Sequence, residues 1–202
     1  MSPVVVGLEV GGAARAWRAA GFDVVDDEMR MGGVRVRCDA ASGGIAAWSL
    51  AGIDRDAYVD GLVTRAAAPS GGPAGRHPNG VVRIDHVVIA TPDGDRTTHA
   101  LAALGMVVRR VRDDARPGLR QTFLRADELI VEVVAPAEPP ADRSAPARFL
   151  GIACTVRDLD ECAALLGEHL SPVRAAVQPG RRIASLRHRD IGIPVPLAFM
   201  SE

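Results

Sequence analysis

The chain contains no lysine: all 24 of its basic residues are arginine. Schiff-base catalysis and a lysine-bearing phosphate loop are therefore excluded. Cysteine is scarce and odd in number, and Cys38, Cys154 and Cys162 have no metal-ligand spacing, so buried free thiols in a reducing compartment are expected. A net charge of −1 supplies no field for nucleic acid or an acidic membrane. No apolar run approaches the roughly 18 residues of a membrane span. The N-terminal MSPVVVGLEV lacks the basic start and long apolar core of a signal peptide. The expectation is a cytoplasmic protein with neither nucleic-acid nor membrane partners.

What is present is β-rich and repetitive. A length of 202 residues with 48% hydrophobic content supports one large or two small domains with a real core. The stretch from Val81 to Pro136 carries the clearest pattern. Val81–Ala90 is a short apolar run rich in β-branched residues, which predicts a strand. Asp93 or Asp95 caps a helix through Leu104, and Gly105 stops it. Met106–Arg112, Arg120–Arg125 and Leu129–Val134 follow as strands, separated by turn residues at Pro117-Gly118 and Ala126-Asp127. The unit is βαβββ.

Two further stretches repeat it. At the N-terminus, Val4–Val10 reads as a strand, Gly12–Ala20 as a helix, and Phe22–Glu28, Val34–Cys38 and Ile45–Leu50 as strands. At the C-terminus, Phe149–Val156 reads as a strand and Asp158–Leu166 as a helix capped by Asp158; Val173–Val177, Ile183–Arg187 and Val195–Met200 read as strands. Gly21, Gly105 and Gly167 end the three helices and mark a common register. Between repeats, Asp54–Arg65 fits a helix with Ala57, Tyr58 and Leu62 on its apolar side. Ala66–Gly80, rich in Pro, Gly and Ser, reads as an exposed linker in which His77 takes a surface role. The expected domains are 1–66, an N-terminal βαβββ-like unit plus helix; a linker over 67–80; and 81–202, built from two βαβββ units over 81–136 and 149–200. The fold class is α+β, with tandem βαβββ units forming curved mixed sheets.

Two polar residues interrupt the apolar strands of the central unit. His86 and Glu132 are each flanked by Val or Ile, where strand alternation gives each a definite face. A carboxylate at Glu132 is costly to bury without a partner, and a histidine on a neighbouring strand or a shared metal would serve. Gln121 and Phe123 alternate with Arg120, Thr122 and Leu124, so one of the two sets shares a face with the candidate pair. Arg109, Arg110, Arg112, Arg120 and Arg125 read either as contacts for an anionic substrate or as solvent-side residues of a half-exposed sheet. Gly11-Gly12, Gly32-Gly33 and Gly43-Gly44 match no phosphate loop and read as turns. Trp17 and Trp48 read as core, and His99 and His169 as surface.

The runs RIDHVVIAT at 83–91, LIVEVVAP at 129–136 and FLGIA at 149–153, with GRRIA at 180–184, resemble the vicinal oxygen chelate superfamily. Its members include glyoxalases, fosfomycin and bleomycin resistance proteins, extradiol dioxygenases and methylmalonyl-CoA epimerases. The resemblance implies paired βαβββ units around a cup-shaped pocket. It also implies a divalent metal (Zn, Ni, Mn or Fe) held by a His on a first strand and a Glu on a last strand. His86 and Glu132, 46 residues apart (132 − 86), match those positions, as metal ligands and catalytic residues. The C-terminal unit departs from the pattern, with Gly151 and Leu197 at the equivalent places; the N-terminal unit has Val4 or Val5, and Trp48. A third ligand would come from Gln121, His188, Glu9 or a second subunit, while Gln121, Phe123 and Arg187 are the candidates for binding substrate. Without a metal, the pair reads as general base and orienter. The implied function is that of a glyoxalase-like protein acting on a small molecule, as a metal-dependent lyase, isomerase or dioxygenase. The alternative is metal-free binding or sequestering of a small molecule, as in the bleomycin-resistance branch. Three units leave one sheet without an internal partner, which points to a homodimer.

Overall fold

The structure, a computed structural model, describes residues 2–39, 41–69 and 71–202. The first part of the chain forms β1 (Val4–Gly11), α1 (Ala14–Ala19), β2 (Glu28–Met31), β3 (Val34–Asp39), β4 (Ile45–Ala51), β5 (Ala57–Val59) and β6 (Leu62–Ala66). The central part forms β7 (Val81–Ala90), α2 (Gly94–Ala103), β8 (Val107–Arg116), β9 (Leu119–Ala126) and β10 (Leu129–Pro136). The last part forms β11 (Arg148–Val156), α3 (Leu159–Leu166), β12 (Arg174–Ala175), β13 (Arg182–Ser185) and β14 (Leu197–Met200). Two mixed sheets result, with strand orders β2-β3-β1-β4-β6-β5 and β12-β13-β14-β11-β7-β10-β9-β8. None of the described helices is long and apolar enough to cross a membrane.

Local chemistry sets the helix starts. The Asp93 carboxylate accepts from the Arg96 amide at 3.0 Å to begin α2. Asp158 accepts from the amides of Asp160 and Glu161, at 2.8 and 3.0 Å, to begin α3. Gly105 ends the α2 segment at φ 94°, a conformation that favours glycine.

In each repeat the first strand pairs in parallel with the last. β7 pairs with β10, β11 with β14, β1 with β3, and β4 with β6. The N-terminal part therefore holds two shortened repeats, β1-α1-β2-β3 and β4-β5-β6, where a single unit ending on Ile45–Leu50 is expected from the sequence. Strand periodicity reports which face a residue occupies but not which strand it pairs with, so Ile45–Ala51 reads equally well as an end or a beginning. The helix expected over Asp54–Arg65 is a hairpin. Asp60 and Gly61 adopt φ of 50° and 91°, a two-residue turn that places Val59 opposite Leu62. Tyr58, assigned to the apolar side of that helix, is 79% exposed. The strand expected over Phe22–Glu28 gives way to a second tight turn, with Asp26 and Asp27 at φ 49° and 59°. The Val25 amide donates to the Glu28 carbonyl at 2.9 Å across it.

By packing, the chain divides into two compact units. One contains Met1–Val6, Ala47–Pro69 and His86–Leu150; the other contains Gly7–Ala46, Ser70–Asp85 and Gly151–Glu202. In the first, Trp48 is fully buried, donates to Thr64 Oγ1 at 2.7 Å and meets Phe149 edge-on at 5.3 Å. In the second, buried Trp17 donates to the Gly11 carbonyl at 3.0 Å, and Phe22 packs against both Trp17 and Phe199. Both tryptophans are core residues, as the sequence suggests.

The expected linker is in part pinned, although Ser70 within it lies outside the described residues. His77 is 2% exposed, not a surface residue. Its Nε2–H donates to the Arg30 carbonyl at 2.8 Å, and its Nδ1 accepts from the Asp23 amide at 3.1 Å. Asn79 donates to the Ala20 carbonyl at 2.9 Å and accepts from the Val81 amide at 3.1 Å. A Pro/Gly-rich composition marks irregular backbone, but irregular backbone becomes ordered once its polar groups find partners.

Burial lowers the His77 pKa below its usual 6.5. The folded state then binds fewer protons than the unfolded one, so this contribution is complete above the unfolded value and is lost as pH falls below it. His77→Gln is expected to cost about 1–3 kcal/mol at neutral pH through lost hydrogen bonds. Urea unfolding at pH 8 and at pH 5.5 should show a smaller acid loss in the variant than in the parent. An equal loss in both would contradict this.

Candidate functional site

The central repeat builds its site from three neighbouring strands. On β10, Val131, Val133 and Ala135 are buried on one face, while Ile130, Glu132 and Val134 take the other. Parallel pairing sets Ile130 beside His86 and Glu132 beside Val88. Antiparallel pairing sets Glu132 opposite Phe123 and Val134 opposite Gln121. Gln121 and Phe123, not Thr122 and Leu124, are thus the pair that shares the Glu132 face. On β7, Ile84, Val87 and Ile89 are buried, while Asp85, His86 and Val88 are half-buried.

Glu132 is the centre of this arrangement. His86 Nε2 lies 3.3 Å from Glu132 Oε2, with side-chain exposures of 18% and 10%. Gln121 Nε2 donates to Glu132 Oε1. Each carboxylate oxygen therefore has a nitrogen partner from a different strand, which offsets the cost of burying the group. Phe123, half-buried, supplies an apolar surface beside it.

The resemblance implies a divalent metal, and the donors at the site are few. Among the described residues, no group of three His, Cys, Asp or Glu side chains gathers to hold a metal ion. His86 and Glu132 give two strong donors, and the Gln121 amide already donates to the carboxylate. Glu9, a candidate third ligand, pairs with Arg37 at 3.0 Å in the other unit. His188 Nδ1 shares a hydrogen bond with the Ile193 carbonyl at 2.7 Å, also in that unit. A catalytic metal commonly takes three protein ligands plus open positions. Within this unit the described His, Cys, Asp and Glu donors at the site are two, His86 and Glu132, fewer than such a metal commonly takes.

Arg187, the remaining candidate for binding substrate, is exposed and belongs to the second unit. There it lines a cavity of about 580 Å³ together with His169, Ser171 and Asp190.

The sequence reading missed a polar cluster within the second unit. Arg181 Nη1 pairs with Asp85 Oδ1 at 2.9 Å, and Arg83 Nη1 donates to the fully buried Thr155 Oγ1 at 2.8 Å. Asp85 stands directly before His86 in the RIDHVVIAT run and Arg181 lies in the GRRIA run, yet no spacing rule connects them. All three cysteines are buried free thiols. Burial pushes the Cys38 and Cys162 thiols up, to about 11 and about 12, and neither is a poised nucleophile.

Residues 85–184 match the Glyoxalase/Bleomycin resistance protein/Dioxygenase superfamily, and residues 9–105 match the Glyoxalase-like domain. No curated protein sequence matches the chain. Among solved structures, it is similar to a mutant of 4-hydroxymandelate synthase from Streptomyces coelicolor. The identity is 12% and the TM-score 0.70, with 100% of this chain and 93% of that chain covered. It is also similar to catechol 2,3-dioxygenase (14% identity, TM-score 0.62, 98% of this chain and 87% of that chain). A third is an extradiol ring-cleaving dioxygenase from B. fuscum (13%, 0.59, 100% and 73%). At these identities the likeness speaks for the fold alone. With one family match over each half, and a shared fold along the whole length, the chain belongs to the glyoxalase/bleomycin resistance protein/dioxygenase, or vicinal oxygen chelate, superfamily.

Proposed function

We propose that the protein is a glyoxalase-like enzyme that moves a proton on a small molecule at the Glu132 face of the central repeat. The observation that supports this is a buried carboxylate on an apolar strand, held by an amide on one side and an imidazole on the other. Gln121 orients Glu132, Glu132 orients His86, and His86 is the base. Glu132 then stabilises the imidazolium that forms. A substrate C–H next to a carbonyl gives up its proton to His86, the bonding pair becomes an enolate, and the proton returns to the same carbon. Isomerase or lyase chemistry starts from that step. The buried thiols support a reducing, cytoplasmic setting.

The test is proton exchange in D2O, followed by NMR on 3-benzoylpropanoate, which has an acidic CH2 beside its ketone. Loss of that signal faster than in protein-free buffer, abolished by His86→Asn, is expected. Exchange at the buffer rate, with or without the substitution, contradicts the reading. A second reading, metal-free binding of a small molecule, is favoured by a donor pair, His86 and Glu132, that no third His, Cys, Asp or Glu joins among the described residues. It predicts ligand-induced thermal stabilisation with no exchange. With two shortened N-terminal repeats the repeat count is even, and light scattering after size exclusion distinguishes a homodimer from a monomer.

A further inference from the structure

We propose that the cavity at the end of α3 is a second binding site, one that takes an apolar α-amino acid by its zwitterionic head. It goes beyond the reading above, because none of the residues lining this cavity belongs to the Glu132 site. The helix stops at Leu166, and a single 3-10 turn follows over Gly167–His169. Buried Leu170 then pairs with buried Leu186 in an isolated bridge. On either side of that bridge the Arg187 amide donates to the His169 carbonyl at 2.7 Å, and the Ser171 amide to the Ser185 carbonyl at 2.9 Å. The Ser185 amide in turn donates to Ser171 Oγ at 2.8 Å. Main-chain hydrogen bonds and two core leucines therefore hold the walls, and the charged side chains standing on them are left for a ligand.

Those side chains carry both signs. Arg187, Asp190 and Glu168 all line the cavity, and all three are exposed. Arg187 and Asp190 are the two ends of one turn, closed by the Asp190 amide donating to the Arg187 carbonyl at 3.0 Å. A four-residue turn of this kind brings its end Cα atoms within about 7 Å. Yet among the described residues neither side chain, nor that of Glu168, makes an ion pair or hydrogen bond. A guanidinium and a carboxylate rooted this close together, both unengaged, match a ligand whose own opposite charges are adjacent. An α-amino acid has that arrangement: its carboxylate meets the Arg187 fork, and its ammonium meets Asp190, with Glu168 as a second acceptor. A simple anion would face the two carboxylates and a simple cation the guanidinium, so each leaves one sign unmatched. Pro172 and Val173 give the wall an apolar stretch for the ligand's side chain, and a volume of about 580 Å³ is ample for such a molecule.

The full chain is titrated by calorimetry with L-phenylalanine, with 3-phenylpropanoate, which lacks the ammonium, and with 2-phenylethylamine, which lacks the carboxylate. Phenylalanine should bind saturably and roughly tenfold or more tightly than either analogue, the scale for one charge-assisted contact. Arg187→Ala should reduce its affinity to that of 2-phenylethylamine, and Asp190→Ala to that of 3-phenylpropanoate. Glu132→Gln should bind phenylalanine like the parent. No saturable binding of phenylalanine, binding no tighter than that of the analogues, or parent-like affinity in either cavity variant would overturn the inference. Loss of binding in Glu132→Gln would overturn it too, by placing the ligand at the Glu132 face, and would leave the proton-exchange reading standing. Parent-like circular dichroism of the variants establishes that these exposed substitutions leave the fold intact.

Discussion

Glu132→Gln lowers the rate of catalysed exchange by at least about 100-fold, the usual scale for losing one partner of an acid–base pair. The substitution keeps the shape of the side chain but removes the charge that orients His86 Nε2 and stabilises its protonated form. It also sets an amide against the Gln121 amide, so the two must rearrange to hydrogen-bond. Because the effect is on charge and orientation and not on the apolar platform at Phe123, the affinity for 3-benzoylpropanoate should change far less than the rate. Single-turnover exchange at saturating ligand separates the two. A variant with parent-like exchange would remove Glu132 from the mechanism.

Asp60→Ala destabilises the fold by about 1–3 kcal/mol, the scale for losing charge-assisted hydrogen bonds at a partly exposed pair and placing alanine at a left-handed turn position. Asp60 holds an unusual number of roles for one turn residue. Its carboxylate accepts from Arg96 Nε at 2.8 Å and from Thr97 Oγ1 at 2.5 Å, and its carbonyl accepts from the Ala147 amide at 2.8 Å. Its φ of 50° lies in the left-handed region that Asp and Asn tolerate best. Asp60→Asn keeps the turn and loses the charge, so it should retain part of the stability that Asp60→Ala loses. Urea unfolding of the three proteins gives the order directly. Equal stability for parent and Asp60→Ala would show that the ion pair contributes nothing.

The central repeat was legible because its signals are local. Alternating apolar residues, a capping Asp93 and a stopping Gly105 act within a few positions of one another, and the two polar residues that break the pattern, His86 and Glu132, meet at 3.3 Å. The N-terminal repeats were harder. Asp60-Gly61 is a strong hairpin signal, but Ala57, Tyr58 and Leu62 at helical spacing outweighed it in the reading of Asp54–Arg65. Other long-range pairings left no such trace. His77 reads as a linker residue until Asp23 and Arg30 are seen on its two nitrogens, and the bulge at Arg109 reads as unbroken alternation until the register of β8 against β9 is known. Which arginines face Glu132 depends on that single extra residue.

The most direct test of the central claim, that Glu132 works as a carboxylate held by His86 and Gln121, is a metal measurement on the parent and on Glu132→Ala. Elemental analysis of the purified proteins is combined with titration of Ni²⁺, Zn²⁺, Mn²⁺ and Fe²⁺. The account predicts metal far below one ion per chain in both proteins and no saturable binding that depends on Glu132. Near-stoichiometric metal in the parent that disappears in Glu132→Ala would contradict it, and would make the same three side chains the wall of a metal centre.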